Sequence, residues 1–267
     1  MKRREVEMLW KPGKIELLAP ARDLRSARAA IDCGADAVYM GGPRFGARQA
    51  AGNSVADIAA VAEYARRFGV RVYVTLNTLL FDDELADAER IARQVVEAGA
   101  DALIVQDMAY LEMELEGVEL HASTQTFNAS PEKAAFLADC GFSRVILERN
   151  LSLEEIRRIR AATDVELECF VHGAICVCYS GRCYMSRTMS PRSGNRGDCM
   201  QACRLPYDLL DAAGNVLMAG KHLLSVRDMD LSGRLGDLLD AGVTSFKIEG
   251  RLKDEAYVRN VVAWYRT

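Results

Sequence analysis

Residues 82–107, DDELADAERIARQVVEAGADALIVQD, contain the unit from which the fold is read. Leu85, Ala88, Ile91, Ala92 and Val95 fall on one face of a helix. Gly99 can end that helix in a left-handed conformation, and the apolar run after it has the composition of a short strand. The unit recurs: ADAVYMGG follows Gly34, VRVYVTLN follows Gly69, VELHASTQ follows Gly117, FSRVILER follows Gly141 and VTSFKIEG follows Gly242. Two more strands, IELLAP at 15–20 and VELECFVH at 165–172, lack the preceding glycine but have the same β-branched, apolar character. Eight strands alternating with helices imply a parallel sheet covered by helices. Eight such units match a closed α/β barrel of the (β/α)8, TIM type, expected here as a single domain over 1–267. An open doubly wound sheet would carry a glycine-rich phosphate turn after its first strand, and ARDLRSARAA has none.

The 267 residues are 50% apolar and 27% charged, with 34 Lys and Arg against 38 Asp and Glu, a formal charge of −4. That excludes a protein that coats nucleic acid by bulk charge, so any RNA contact must be local. No apolar stretch reaches the length of a membrane span, and the opening MKRREVEMLWKPGK has no hydrophobic segment for secretion; a cytoplasmic protein with no membrane partner is expected. Eight cysteines are many for a reducing compartment, where a disulfide framework does not persist.

Regular spacing fails once, between strands seven and eight, where a Cys- and Arg-rich insert at 173–242 replaces a single loop and helix. It follows the C-terminal end of strand seven, the end of a barrel at which active sites are built. YDLLDAAGNVLMAG within it reads as a hairpin. Six cysteines fall between 169 and 203. Cys176-x6-Cys183-x15-Cys199-x3-Cys203 is the spacing expected of four ligands, with Cys169 and Cys178 in reserve; Cys33 and Cys140 read as small apolar residues. An iron-sulfur cluster accepts such varied loop lengths, zinc favours tighter knuckles, and redox thiols are the third reading. Arg182, Arg187, Arg192, Arg196 and Arg204 surround these cysteines against one acid, Asp198. They are either counter-charge for an anionic centre or a nucleic-acid-binding rim for phosphates.

The strand ends supply candidate catalytic residues: His121, Gln125, Glu148, His172, Lys247, Glu249 and Arg251. Spacing by two puts His121, Ser123 and Gln125 on one face of strand five, and Lys247, Glu249 and Arg251 on one face of strand eight. Hydrolase motifs such as H-E-x-x-H and G-x-S-x-G are missing from the sequence. A His172–Cys176 nucleophile pair is conceivable but leaves the other cysteines unexplained.

ECFVHGAICVCYSGRCYMS at 168–186, continued by RSGNRGDC and CRLPY, resembles the family historically called peptidase U32. APA at 19–21, GADAVYMGG, FGAR, Asn53, HASTQ and KIEGRLKDEAYV agree with its pattern, from residue 15 to the end. The resemblance implies a 4Fe-4S cluster on four cysteines and oxygen-independent hydroxylation of an RNA base: 5-hydroxyuridine in tRNA or 5-hydroxycytidine in 23S rRNA. Prephenate is implied as co-substrate, held by Arg251 and Lys247. Relatives also include quinone hydroxylases built from paired U32 subunits and proteins labelled peptidase or collagenase, which are the alternatives. RSGNRGDC with CRLPY is closer to the RNA-modifying branch. No cysteine follows Cys203, which must then close the ligand set unless Cys169 or Cys178 substitutes. The chain ends at AWYRT, where many relatives continue, so an RNA-docking extension is expected to be absent.

Overall fold

The computed structural model describes residues 15–48 and 51–267; the charged opening MKRREVEMLWKPGK lies outside them. Seven strands alternate with helices in the order β1 (Glu16–Pro20), α1 (Leu24–Asp32), β2 (Ala37–Gly41), α2 (Val55–Arg66), β3 (Arg71–Leu76), α3 (Leu85–Glu97), β4 (Ala102–Val105), β5 (Glu119–Ala122), α4 (Pro131–Asp139), β6 (Arg144–Ile146), α5 (Leu153–Ala162) and β7 (Glu166–Gly173). Beyond β7 come α6 (Met185–Met189), the hairpin β8 (Tyr207–Leu210) and β9 (Val216–Lys221), then β10 (Met229–Asp230), α7 (Leu235–Asp240), β11 (Ser245–Ile248) and α8 (Glu255–Arg266). Strands β1 to β7 pair in sequence order, β11 joins β7 to β1, and all these pairings are parallel, which closes an eight-stranded barrel.

The six strand-preceding glycines all have positive φ, from 67° at Gly69 to 104° at Gly141; five of them stop a helix in the left-handed region, and Gly117 follows no α-helix. Side-chain capping fixes the other ends: Ser54 with Asp57 and Ser152 with Glu155 form reciprocal boxes, while Asp23, Ser130 and Asp254 cap α1, α4 and α8. One unit departs from the repeat. Between β4 and β5 the chain makes only a single 3-10 turn at Met108–Leu111, because too few residues separate the strands for a covering helix.

Alternation along each strand creates two apolar layers. Leu17, Val38, Val74, Leu103 and Leu167 point outward to the helices, while Leu18, Tyr39, Tyr73, Ile104, Ile146 and Phe170 fill the barrel. Cys169 is in the outer layer, a buried wall residue, and Cys33 and Cys140 pack half-buried against it. No helix among the described residues is long and apolar enough to cross a membrane.

The floor of the barrel, at the N-terminal ends of the strands, is ionic. Arg144 is fully buried and reaches Glu16 at 2.6 Å, Glu168 at 2.9 Å and Glu166 at 2.9 Å. Lys247 meets Glu168 at 2.7 Å, and Arg71 meets Glu119 at 2.9 Å. Burial alone would raise the Glu16 carboxyl, but Arg144 outweighs it and holds it at about 2. Glu166 goes the other way, raised to about 7, since burial and the charges of Glu16 and Glu168 exceed what is left of the shared guanidinium.

Candidate functional site

The loops at the opposite, C-terminal end of the strands enclose a cavity of about 340 Å³. Its lower wall is the inward face of the barrel, with Tyr39, Phe170, Thr75, Ile104 and Ile146, and its roof is the segment after β7. Local contacts seat that roof. Glu148 accepts the Ser180 N–H at 3.1 Å, and Arg149 donates to the Ala174 carbonyl at 2.9 Å. Gly181 has φ +69°, and a Cβ there would lie 1.8 Å from the Gln125 carbonyl oxygen, so the roof can meet the β5 loop only through glycine. On the far side Arg196 grips Glu84 at 2.6 Å, while Asn195 accepts the Leu79 N–H at 3.3 Å.

Five thiols face this one space: Cys176, Cys178, Cys183, Cys199 and Cys203. Burial raises the Cys203 thiol pKa, Arg204 opposes that, and the neighbouring Cys176, Cys199 and Cys183 push it up further. Cys183 is raised likewise by burial and by Cys178 and Cys199. Thiols that oppose one another's ionisation form a donor set suited to a positively charged centre. Among the described residues no three His, Cys, Asp or Glu side chains converge as the ligands of a single ion do.

Beneath the thiols the cavity is cationic and aromatic. Arg48, Arg149 and Arg251 line it against one carboxylate, Glu249. Arg149 binds Glu249 at 2.7 Å and lies 3.9 Å over the Phe170 ring. Burial would raise Glu249, but Arg149, Arg48 and Arg251 together hold it at about 2. Arg251 donates to Thr75 Oγ1 at 2.7 Å and keeps a buried Nε without a partner. Lys247 lies 4.3 Å over the Tyr39 ring, but its ammonium is already matched by Glu168. Asn77, Ser123 and Gln125 add polar edges, with Asn77 Nδ2 donating to Ser123 Oγ at 2.9 Å. At the rim stand two exposed rings, Tyr179 and Tyr184.

Gln125, Lys247, Glu249, Arg251 and the four expected cysteines thus come together, whereas three candidates do not line the cavity. His121 is fully buried in the floor, 3.2 Å from Glu119 and edge-on to Tyr73, and burial plus Arg144 lower its pKa to about 4. The shared face with Gln125 fails because β5 ends at Ala122 and Ser123 opens a 3-10 turn. His172 turns away from the cysteines toward Tyr257 and Tyr265 on α8, with Asp230 at 3.8 Å, so it is not paired with Cys176. Glu148 clamps the roof. The five arginines expected at a rim are engaged within the insert or with the barrel: Arg192 with Asp198, Arg196 with Glu84, Arg187 with the Pro191 carbonyl, Arg204 with the Ile175 carbonyl, and Arg182 over the Phe127 ring. Tyr39, Phe170 and Arg48 were not singled out; the inward register of β2 and β7 was the available signal for the two rings.

Comparison with known proteins agrees with this architecture. Over 253 residues the chain is 56% identical to the 23S rRNA 5-hydroxycytidine synthase of Escherichia coli, covering 95% of this chain and 39% of that protein. It is 37% identical to a tRNA hydroxylation protein of Bacillus subtilis (95% and 62% covered) and 33% identical to a collagenase of Porphyromonas gingivalis (94% and 64%). The chain therefore spans between about two fifths and two thirds of the length of these relatives. Among solved structures the U32 peptidase Mk0906 superposes with a TM-score of 0.59 at 15% identity, over 90% of this chain and 94% of that one, a likeness of fold. A profile of peptidase family U32 matches residues 22–267, and with these relatives it establishes that the chain belongs to the peptidase U32 family.

Proposed function

We propose that this chain hydroxylates a pyrimidine base of RNA without molecular oxygen, with a 4Fe-4S cluster on Cys176, Cys183, Cys199 and Cys203 and a small organic acid such as prephenate as co-substrate. The observation that carries the reading is the stacking of a thiol ring over a cationic, aromatic-walled cavity, in a chain 56% identical to an rRNA 5-hydroxycytidine synthase. Replacing C–H by C–OH is a two-electron oxidation, which balances without molecular oxygen when the organic acid gives up a hydroxyl oxygen, takes a hydrogen in its place and is thereby the two-electron acceptor; the cluster would relay electrons when bound. The protein's own side chains do the rest. Arg251, with its unpartnered Nε, is placed to hold a carboxylate, and Lys247 contributes charge from below rather than a free donor. Tyr179 and Tyr184 offer stacking faces for an unstacked base, and Gln125 and Asn77 offer edges to read it. Either tRNA or 23S rRNA fits this chemistry.

The peptidase alternative finds no support in the site, since neither His121 nor His172 reaches a thiol or hydroxyl in the cavity. The test is anaerobic protein reconstituted with iron and sulfide, incubated with prephenate and with tRNA or 23S rRNA lacking the modification. Mass spectrometry of the nucleosides is expected to show a hydroxylated pyrimidine. Arg251→Met should raise the half-saturating prephenate concentration about tenfold, the loss of one charge-assisted contact. Peptide cleavage without RNA hydroxylation would overturn the proposal. Activity only after adding a second U32 chain would assign the paired-subunit role instead.

A further inference from the structure

A second cavity, of about 310 Å³, opens beside the first and shares Arg48 with it. Its walls are the loop after β2, Thr78, Glu84 and Arg196. The turn at 194–196 divides the two spaces, with Asn195 facing the thiol-roofed cavity and Arg196 facing this one. Arg44, Arg48 and Arg196 line it, and Arg196 gives both terminal nitrogens to the one lining carboxylate, Glu84, at 2.8 and 2.6 Å, which leaves Arg44 and Arg48 as the cationic groups facing the space. Asp87, the partner of Arg44, lies behind and is shared with Arg90, so it does not neutralise both guanidiniums.

The loop is held in shape. Phe45 sits at φ 61°, a left-handed conformation costly for a bulky residue, and its carbonyl accepts both the N–H of Thr78 at 3.0 Å and its hydroxyl at 3.1 Å. Asn77 Oδ1 accepts the Ala47 N–H at 2.9 Å, which ties the loop to a residue of the first cavity. Arg44 stacks 4.7 Å over the Phe45 ring and Arg196 lies 4.4 Å over the Phe81 ring, which limits where each guanidinium can point. Pre-oriented guanidiniums around a polar hollow are a recognition site for a phosphate, and phosphate contacts set the register of a strand while base contacts read it.

We infer that this second cavity binds a backbone phosphate next to the target nucleotide, with Arg44 and Arg48 as its donors and Arg196, held on Glu84, as its wall, so that the base enters the first cavity while its phosphodiester is held in the second. This rests on the proposed RNA activity and adds to it the place where the backbone lies.

The experiment is binding of three RNAs, a short single strand with one central cytidine, bulk tRNA and 23S rRNA, by wild-type protein and by Arg44→Gln, across a salt series. Arg44→Gln should weaken binding roughly five- to tenfold and flatten the slope of log affinity against log salt by about 0.7, the value of one single-strand phosphate contact. A neutral methylphosphonate beside the cytidine should weaken the wild type by a similar factor and Arg44→Gln hardly further. That arm also reads the site in unmutated protein. Tight wild-type binding with Arg44→Gln unchanged in affinity and slope, or no methylphosphonate at any position costing affinity, would overturn the phosphate site and leave the RNA reading standing. Failure of the wild type to bind any of the three RNAs would remove both.

Discussion

Arg144→Met is expected to destabilise the barrel by about 3–5 kcal/mol, lowering its melting temperature by on the order of 10 °C. Arg144 is fully buried and shared by Glu16, Glu166 and Glu168; removing it leaves Glu16 and Glu168 buried, with Arg71 near the first and Lys247 beside the second as the remaining cations. The three acids are not equivalent. Glu16, held at about 2, is charged and dependent on Arg144, so Glu16→Gln should cost stability above pH 4.5. Glu166, raised to about 7, already keeps its proton through the acid range, so Glu166→Gln should be nearly neutral there. The signs with pH follow from linkage. Glu16 and Glu119, both lowered to about 2, contribute stability above their ordinary value of 4.5 that is lost as pH falls toward 2. His121, lowered from 6.5 to about 4, adds a loss as pH falls through that interval. Glu166 opposes them: its folded-state proton favours folding at low pH, and that contribution fades as pH rises from 4.5 through 7. Denaturation of the three variants across pH checks the assignment. An Arg144→Met protein within about 1 kcal/mol of wild type would show that the floor is solvated.

Cys199→Ser is the substitution expected to cost most activity, at least a hundredfold, with loss of the brown colour and of most of the roughly four irons per chain expected of the reconstituted protein. Cys199 and Cys203 belong to the roof of the cavity and serve no barrel packing, so the variant should keep the wild-type circular dichroism spectrum and melting behaviour of the barrel. Cys178→Ser should retain more iron, because Cys178 stands outside the proposed ligand set. Full iron content in Cys199→Ser, or stoichiometric zinc in the wild type, would displace the proposed ligand set.

The barrel was legible because its signal is repeated: a helix face, a left-handed glycine and a short apolar strand leave few arrangements once they recur in parallel order. The thinned unit between β4 and β5 was not, since Gly117 and the strand after it look the same whether or not a helix precedes them. The ionic floor was also hidden. Arg144 and Glu166 sit at strand starts, where a charged residue ordinarily caps a strand in water, and nothing local shows that both point inward. His121 misled for a related reason: period-two reasoning holds only while the strand lasts, and β5 stops one residue later. The thiols, in contrast, were grouped by chemistry rather than by geometry, and of the two held in reserve Cys178 lines the cavity while Cys169 is barrel wall.

The most direct measurement is mass spectrometry of tRNA and 23S rRNA nucleosides from the source organism with the gene intact, deleted, and restored as wild type or as Cys199→Ser. The account predicts that a 5-hydroxycytidine or 5-hydroxyuridine-derived nucleoside disappears on deletion, returns with the wild-type gene, and stays missing with Cys199→Ser. Unchanged amounts of both nucleosides in the deletion strain, in an organism with no second copy, would contradict it.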